Sequence, residues 1–261
     1  MRTHGNWFLV PARCDAPGHR LICFSHAGGG ASSYHAWGHP LSQASIEVMA
    51  VQLPGHETRV REAPLTSLTD LVAAVARALV VVTDRPYALF GHSLGALVAF
   101  ETACALRELG APPPEHLFVS SAPAPSAPRE RAMLHELGDE AFIEAVTRQY
   151  GGMPAEVLAH LELLALVMPA LRADMTMIET YVSTTTDPLA CPIVAYGGAQ
   201  DQVVGVNTLL GWQRHTRAGF EYECFDGDHF YLQTRRDELL GAIMSRLRRH
   251  TGRRSWPGSR D

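Results

Sequence analysis

A chain of 261 residues, 46% apolar and 19% charged, is long enough for one large α/β domain and unlike a disordered segment. All 22 basic residues are arginine, which excludes a P-loop lysine, a Schiff-base lysine, the ATP lysine of kinases and a Ser-x-x-Lys acylation pair. A net charge of −5 offers no overall field for nucleic acid.

In chain order, the first ten residues carry one arginine and no apolar h-region before Pro11, so no signal peptide is expected there. Near-continuous apolar runs at 20–25, 46–51, 86–90, 116–120, 192–196 and 220–225 read as buried parallel strands. Helical patterns at 32–43, 68–82, 94–109, 206–215 and 232–249 lie between or after them. Strand and helix in alternation predict a mostly parallel, doubly wound α/β sheet spanning 1–261 as a single domain. One connection breaks the rhythm: residues 126–189 hold no strand but helical stretches at 131–137, 140–150, 155–167 and 171–181, punctuated by Gly151, Gly152 and Pro154. This reads as a helical cap, or lid, over the C-terminal edge of the sheet, where open α/β sheets bind ligands.

No run reaches the roughly 20 apolar residues of a membrane span; 71–82 comes nearest and Arg77 interrupts it. The five cysteines form no C-x-x-C pair, so neither a disulfide framework nor a zinc cage is expected and the chain reads as reduced and cytoplasmic. His35 and His39, at i and i+4, lack a third ligand nearby, and no metal is expected. Arg246, Arg248, Arg249, Arg253, Arg254 and Arg260 gather at the C-terminus. They read as a helix end and, over 250–261, a disordered basic tail, with a patch for an acidic partner as the alternative.

The chemistry begins directly after the strand at 86–90, where Gly91-His-Ser-Leu-Gly95 is a G-x-S-x-G motif at a strand-to-helix junction. In such a nucleophile elbow the serine sits in strained backbone, and glycines on either side avoid a clash. The turn lifts the Ser93 hydroxyl above the sheet at a helix N-terminus, where free N–H groups face a developing oxyanion. This is the elbow of the α/β-hydrolase fold, in which the base and acid follow in the order Ser, acid, His. Among 13 histidines, only His229 lies just past the last predicted strand. Asp201, in the loop after the strand at 192–196, is the favoured acid. Asp226 and Asp228 flank His229 but are expected to bond the backbone of its turn. Ser25-His-Ala-Gly-Gly-Gly30 occupies the place of the second oxyanion donor, so the N–H groups of Ala27 and Leu94 are assigned to the hole.

Taken together, Leu21-Ile-Cys-Phe-Ser-His-Ala-Gly-Gly-Gly30, Gln52-Leu-Pro-Gly-His-Glu-Thr-Arg59, Phe90-Gly-His-Ser-Leu-Gly-Ala96, Pro169-Ala-Leu-Arg-Ala-Asp174, Tyr196-Gly-Gly-Ala-Gln-Asp201 and Gly227-Asp-His-Phe-Tyr231 resemble the type II thioesterases of polyketide and nonribosomal-peptide assembly lines. The likeness runs over about residues 7 to 245. It implies a hydrolase that clears acyl groups from the phosphopantetheine arm of acyl or peptidyl carrier proteins, with the triad on Ser93, Asp201 and His229. It implies no cofactor of its own, since phosphopantetheine belongs to the carrier; the charge and the apolar runs point to no nucleic-acid or membrane partner, and a monomer is the default. His26 and Phe230 beside the site, and Met168, Met175 and Met177 in the cap, are candidates for substrate contact; the methionines suit an adaptable acyl pocket and equally the core of the cap. Ser25 departs from the proline common in the family, which implies a looser oxyanion loop with no donor lost. An esterase, an acyltransferase or cyclase with the same triad, and a non-catalytic carrier-binding protein remain the alternatives.

Overall fold

A computed structural model of the protein describes residues 2–4, 6–128, 133–151, 157, 159–183 and 187–251, with side chains described only between 6 and 248. Eight strands form one sheet: β1 Arg2–His4, β2 Phe8–Val10, β3 His19–Phe24, β4 Ile46–Val51, β5 Tyr87–His92, β6 Leu117–Ser120, β7 Ile193–Gly198 and β8 Phe220–Phe225. Their order is β1-β2-β4-β3-β5-β6-β7-β8. All neighbours from β4 to β8 are parallel, and β1 and β2 add an antiparallel edge. β1 and β2 have no counterpart among the predicted elements, because three-residue strands are too short for either period to register. They form because Phe8 and Leu9 find a ladder waiting on β4, opposite Val51 and Ala50.

Successive residues of β3 serve opposite faces. Ile22 and Phe24 pack into the core shared with α2 (Leu68–Val80) and α3 (Leu94–Glu108), whereas Leu21 and Cys23 pack with Tyr34, Trp37 and α8 (Arg236–Thr251) on the other side. A strand buried on both faces must be apolar at every position, which is why β3 to β7 were legible. β8 is different: at the sheet edge, Glu221 and Tyr222 are exposed, so this run is a half-buried edge strand and not the fully buried one expected.

Among the described residues, further helices are α1 Gly38–Gln43, α4 Asp139–Tyr150, α5 Leu161–Thr180, α6 Val206–Leu210 and α7 Tyr231–Thr234. The segment predicted as one helix over 32–43 opens as a 3-10 helix, Ala31–Trp37, and the one over 206–215 closes as one, Gly211–His215. The stretch predicted over 232–249 is split at Arg235, whose guanidinium pairs with Asp226 and Glu238.

Between β6 and β7 stand α4, α5 and a short 3-10 turn, Leu134–Glu136. The two stretches predicted at 155–167 and 171–181 are not separate: α5 runs unbroken through Pro169. Proline removes one N–H bond, but Met168, Leu171 and Met175 bury one apolar stripe of this helix against Phe142 and Val146 of α4, and that packing holds the helix together. Parts of the predicted 131–137 and 155–167 stretches, Gly152, Pro154 and nearly all of the predicted 250–261 tail lie outside the described residues. No helix among the described residues is long and apolar enough to cross a membrane.

Candidate active site

The strand order reverses around β3: β4 lies on one side of it and β5 on the other. A crevice opens at the carboxyl ends of strands at such a switch point. Ala27 follows β3 and Ser93 follows β5, so the two loops flank that crevice, while Asp201 follows β7 and His229 follows β8.

Ser93 has φ 55° and ψ −118°, a conformation sparsely populated by non-glycine residues. Its N–H donates to the Ser120 carbonyl (2.8 Å) and its carbonyl accepts from Ala96 N–H (3.0 Å). Space fixes the flanking residues. A Cβ on Gly91 would lie 2.0 Å from the Gly95 carbonyl oxygen, and one on Gly95 would lie 2.2 Å from that of Phe24. The G-x-S-x-G pattern is therefore a packing requirement of this turn.

His229 Nδ1 lies 2.9 Å from Asp201 Oδ2. The other carboxylate oxygen accepts the N–H groups of Val203 (2.8 Å) and Val204 (3.0 Å), which lock the acid in place. Burial opposes the charged carboxylate, but the His229 bond and these two amides outweigh it and hold its pKa below the ordinary value. A carboxylate against Nδ1 places the imidazole proton there and leaves Nε2 free to accept one. Asp228 instead accepts from the Phe230 N–H (2.8 Å), as an acid in its own turn should, and Asp226 pairs with Arg235. His215, the competing histidine before β8, hydrogen-bonds Ser126 (3.0 Å) and packs edge-on against Trp212 and Phe100.

Ser93 and His229 line the same two cavities. One, of 340 Å³, is walled by His26, Ala27, Leu171, Met175, Ile178 and Phe230, among others. The second, of 290 Å³, is lined by Leu94, Ser121, Tyr150 and Val203, among others. Of the three cap methionines, only Met175 faces the first cavity. Met168 is packed in the core between α4 and α5, and Met177 lies in the core beneath the sheet's other helices. At about 100° per residue, positions 175 and 177 point to nearly opposite sides of a helix, so the three methionines do not form one pocket wall.

The glycine loop after β3 is tied down. Ser25 Oγ donates to the Gly29 carbonyl (3.0 Å) and Gly29 N–H to the His26 carbonyl (3.0 Å), so the serine that stands in place of proline fastens the loop and does not loosen it. Gly28 has φ +74°. Neither the Ala27 nor the Leu94 N–H has a protein acceptor recorded among the described residues, so both remain available to a ligand atom. Burial, with the charges of His229 and His56 adding to it, pushes the His26 pKa down to about 4, so this ring is neutral beside the cavity at pH 7. His92, buried beneath His229 with ring centroids 5.3 Å apart, was not singled out from the sequence. Its Nδ1 lies 2.9 Å from Ser120 Oγ, which in turn lies 2.8 Å from the Tyr231 hydroxyl. Burial first, then its two histidine neighbours, drives its pKa well down.

A family model for the thioesterase domain matches residues 19–247. The chain is 38% identical over 242 residues to the gramicidin S biosynthesis protein GrsT of Aneurinibacillus migulanus, covering 93% of this chain and 94% of that one. Among solved structures, the type II thioesterase BorB from the borrelidin biosynthetic cluster superposes with a TM-score of 0.84 at 36% identity, over 94% of this chain and all of BorB. RedJ, the thioesterase of the prodiginine pathway in Streptomyces coelicolor, superposes with a TM-score of 0.79 at 36% identity, over 90% and 89% of the two chains. An elbow serine, a histidine–carboxylate pair whose ring lines the same cavities, and a matching family model over most of the length place this α/β-hydrolase chain in the thioesterase family, alongside the type II thioesterases of biosynthetic clusters.

Proposed function

We propose that the protein hydrolyses acyl thioesters carried on the phosphopantetheine arm of acyl or peptidyl carrier proteins of a polyketide or nonribosomal-peptide assembly line. The observation that carries the catalytic half of this reading is the Asp201–His229 pair, with Nδ1 2.9 Å from Oδ2, in the cavity that Ser93 also lines. The carrier-bound substrate rests on relatives such as GrsT and BorB, which serve biosynthetic clusters.

In this mechanism Nε2 of His229 takes the Ser93 hydroxyl proton as the oxygen attacks the thioester carbonyl. The tetrahedral oxyanion accepts the N–H groups of Ala27 and Leu94. Its collapse breaks the C–S bond and expels the pantetheine sulfur, which takes the proton back from His229. A thiolate leaves readily without full protonation, so this step asks little of the imidazole as an acid. Water then attacks the acyl-serine, giving its proton to His229. Collapse of that second intermediate returns the proton to Ser93 and releases a free acid. The 340 Å³ cavity, lined by Val146, Leu171, Met175 and Ile178, suits an apolar acyl group.

The test is steady-state turnover of acylated carrier proteins beside acyl-pantetheine and p-nitrophenyl esters, with the product identified by mass. The proposal expects free acid and the highest kcat/KM for the carrier-bound thioester. A preference for the oxygen ester, or an ester, amide or lactone product, would transfer the same site to an esterase, or to an acyltransferase or cyclase.

A further inference from the structure

A second histidine–carboxylate pair lies beneath the glycine loop. His56, in the turn after β4, and Asp174, on α5, are 118 residues apart in sequence and both buried, and His56 Nε2 stands 2.9 Å from Asp174 Oδ2. The opposite ring nitrogen, Nδ1, is 3.0 Å from the Pro54 carbonyl oxygen. A carbonyl oxygen only accepts, so Nδ1 carries a proton. Asp174 Oδ2 also accepts the Gly28 N–H at 2.7 Å, the shortest of the three contacts. With Asp174 ionised, both nitrogens face acceptors, and the ring makes both bonds as a doubly protonated imidazolium.

We propose that His56 and Asp174 form a buried imidazolium–carboxylate strut that positions the oxyanion loop through the Gly28 amide, one residue past the Ala27 donor. The strut presupposes the oxyanion hole of the proposed mechanism. It acts by holding a backbone and does not touch substrate, so both are positioning residues. Three further observations support it. Burial alone disfavours a charged His56, yet the bond to Asp174, the Asp174 charge, the Pro54 carbonyl and the Glu57 charge together raise its pKa. Glu57, next in sequence, accepts from the Ser32 N–H at 3.2 Å, so adjacent residues of one turn clamp both ends of the glycine loop. A Cβ on Gly30 would lie 2.2 Å from Glu57 Cδ, and one on Gly28 would lie 3.0 Å from Leu171 Cδ1, so the loop sits flush on its supports. Because Asp174 shares α5 with Leu171, Met175 and Ile178, the strut also links the wall of the acyl cavity to the oxyanion donors.

The charged groups facing His56 are Asp174 from α5, Glu57 from its own turn and His26 from the glycine loop, whose own pKa is lowered by burial first and then by the His229 and His56 charges. The carboxylates favour the imidazolium. His26, neutral near pH 7, does not oppose it.

The experiment measures kcat and KM against pH for the wild type and for Asp174→Asn, His56→Gln and His56→Arg, with thermal melts of each. Asp174→Asn should lower kcat by about 10- to 100-fold with KM within about threefold, short of the loss expected when an oxyanion donor is deleted outright. In the wild type, kcat should fall on the alkaline side as His56 loses its proton. That limb should vanish in His56→Gln, at a uniformly lower kcat, and should move up by at least one pH unit in His56→Arg, whose cation persists. An alkaline limb identical in wild type and His56→Gln, or an Asp174→Asn enzyme with kcat within twofold of wild type, overturns the strut. Turnover that survives Ser93→Ala overturns instead the mechanism on which it rests, so the two failures are distinct.

Discussion

Two buried pairs of the same chemical type serve this site in opposite ways. His229 with Asp201 and His56 with Asp174 each bring a ring nitrogen within 2.9 Å of a carboxylate oxygen. The difference lies at the other nitrogen. That of His229 is left to the cavity shared with Ser93, whereas that of His56 is closed by the Pro54 carbonyl. A histidine with one acceptor can exchange a proton with a substrate; in the proposed strut, one with two acceptors keeps both protons and serves as a cation until the pH climbs past its raised pKa. The number of acceptors, and not the carboxylate, separates a base from a strut.

The comparison is broken most severely at the nucleophile. Ser93→Ala should reduce thioester turnover by about 10⁴-fold or more while leaving the melting temperature within a few degrees, because the hydroxyl is spent on chemistry and not on packing. Asp201→Asn should come next, with a loss of about 10³- to 10⁴-fold, since an amide no longer fixes the Nδ1 proton. Asp228→Asn, which keeps an acceptor for the Phe230 N–H, should cost less than about threefold; the reverse ranking would move the acid. The strut variants should fall between these two aspartates.

The pairs also differ in the sign of their pH linkage. The His56 pKa is raised, so its contribution to stability is complete below the ordinary histidine value and is lost as pH climbs through the higher native one. The Asp201 pKa is depressed, so its contribution is present above the ordinary carboxylate value and is lost as pH falls through the lower native one. His26, pushed from 6.5 to about 4, must be neutral in the fold, so the native state loses ground as pH drops between those values. Urea midpoints measured from pH 4 to 10 should therefore peak near neutrality, and a plateau extending to the alkaline end would argue against the His56 contribution. The smallest effect distinguishes the cap methionines. Met175→Ala should alter acyl-chain preference, whereas Met177→Leu, a volume-conserving change in the core, should cost less than about 1.5 kcal/mol and leave selectivity intact.

The two pairs were unequally legible in the sequence. Ser93 and Asp201 each stand just past a strand whose both-sided burial forces an apolar run, and His229 stands just past the half-buried edge strand β8, so strand order alone brings them to one edge. His56 and Asp174 sit within the quoted Gln52–Arg59 and 169–174 motifs, yet their meeting depends on how α5 is laid over the sheet, and no period of either segment encodes that. The same gap concealed the continuity of α5 through Pro169, where tertiary packing outweighs a local break signal, and the opposite facing of Met175 and Met177. Edge elements were also obscure: β1 and β2 are too short for a pattern, and the alternating glutamates of β8 are legible as an edge only once its neighbour on one side alone is known.

The central claim is that the Ser93 oxygen carries the acyl group between thioester and water. The most direct measurement is a rapid-quench reaction of the protein with an acyl-loaded carrier protein, followed by intact mass and peptide mapping. A transient adduct of the acyl mass on the peptide containing Ser93, absent in Ser93→Ala, is the predicted result; hydrolysis at an undiminished rate in Ser93→Ala, or an adduct mapped to another residue, would contradict it.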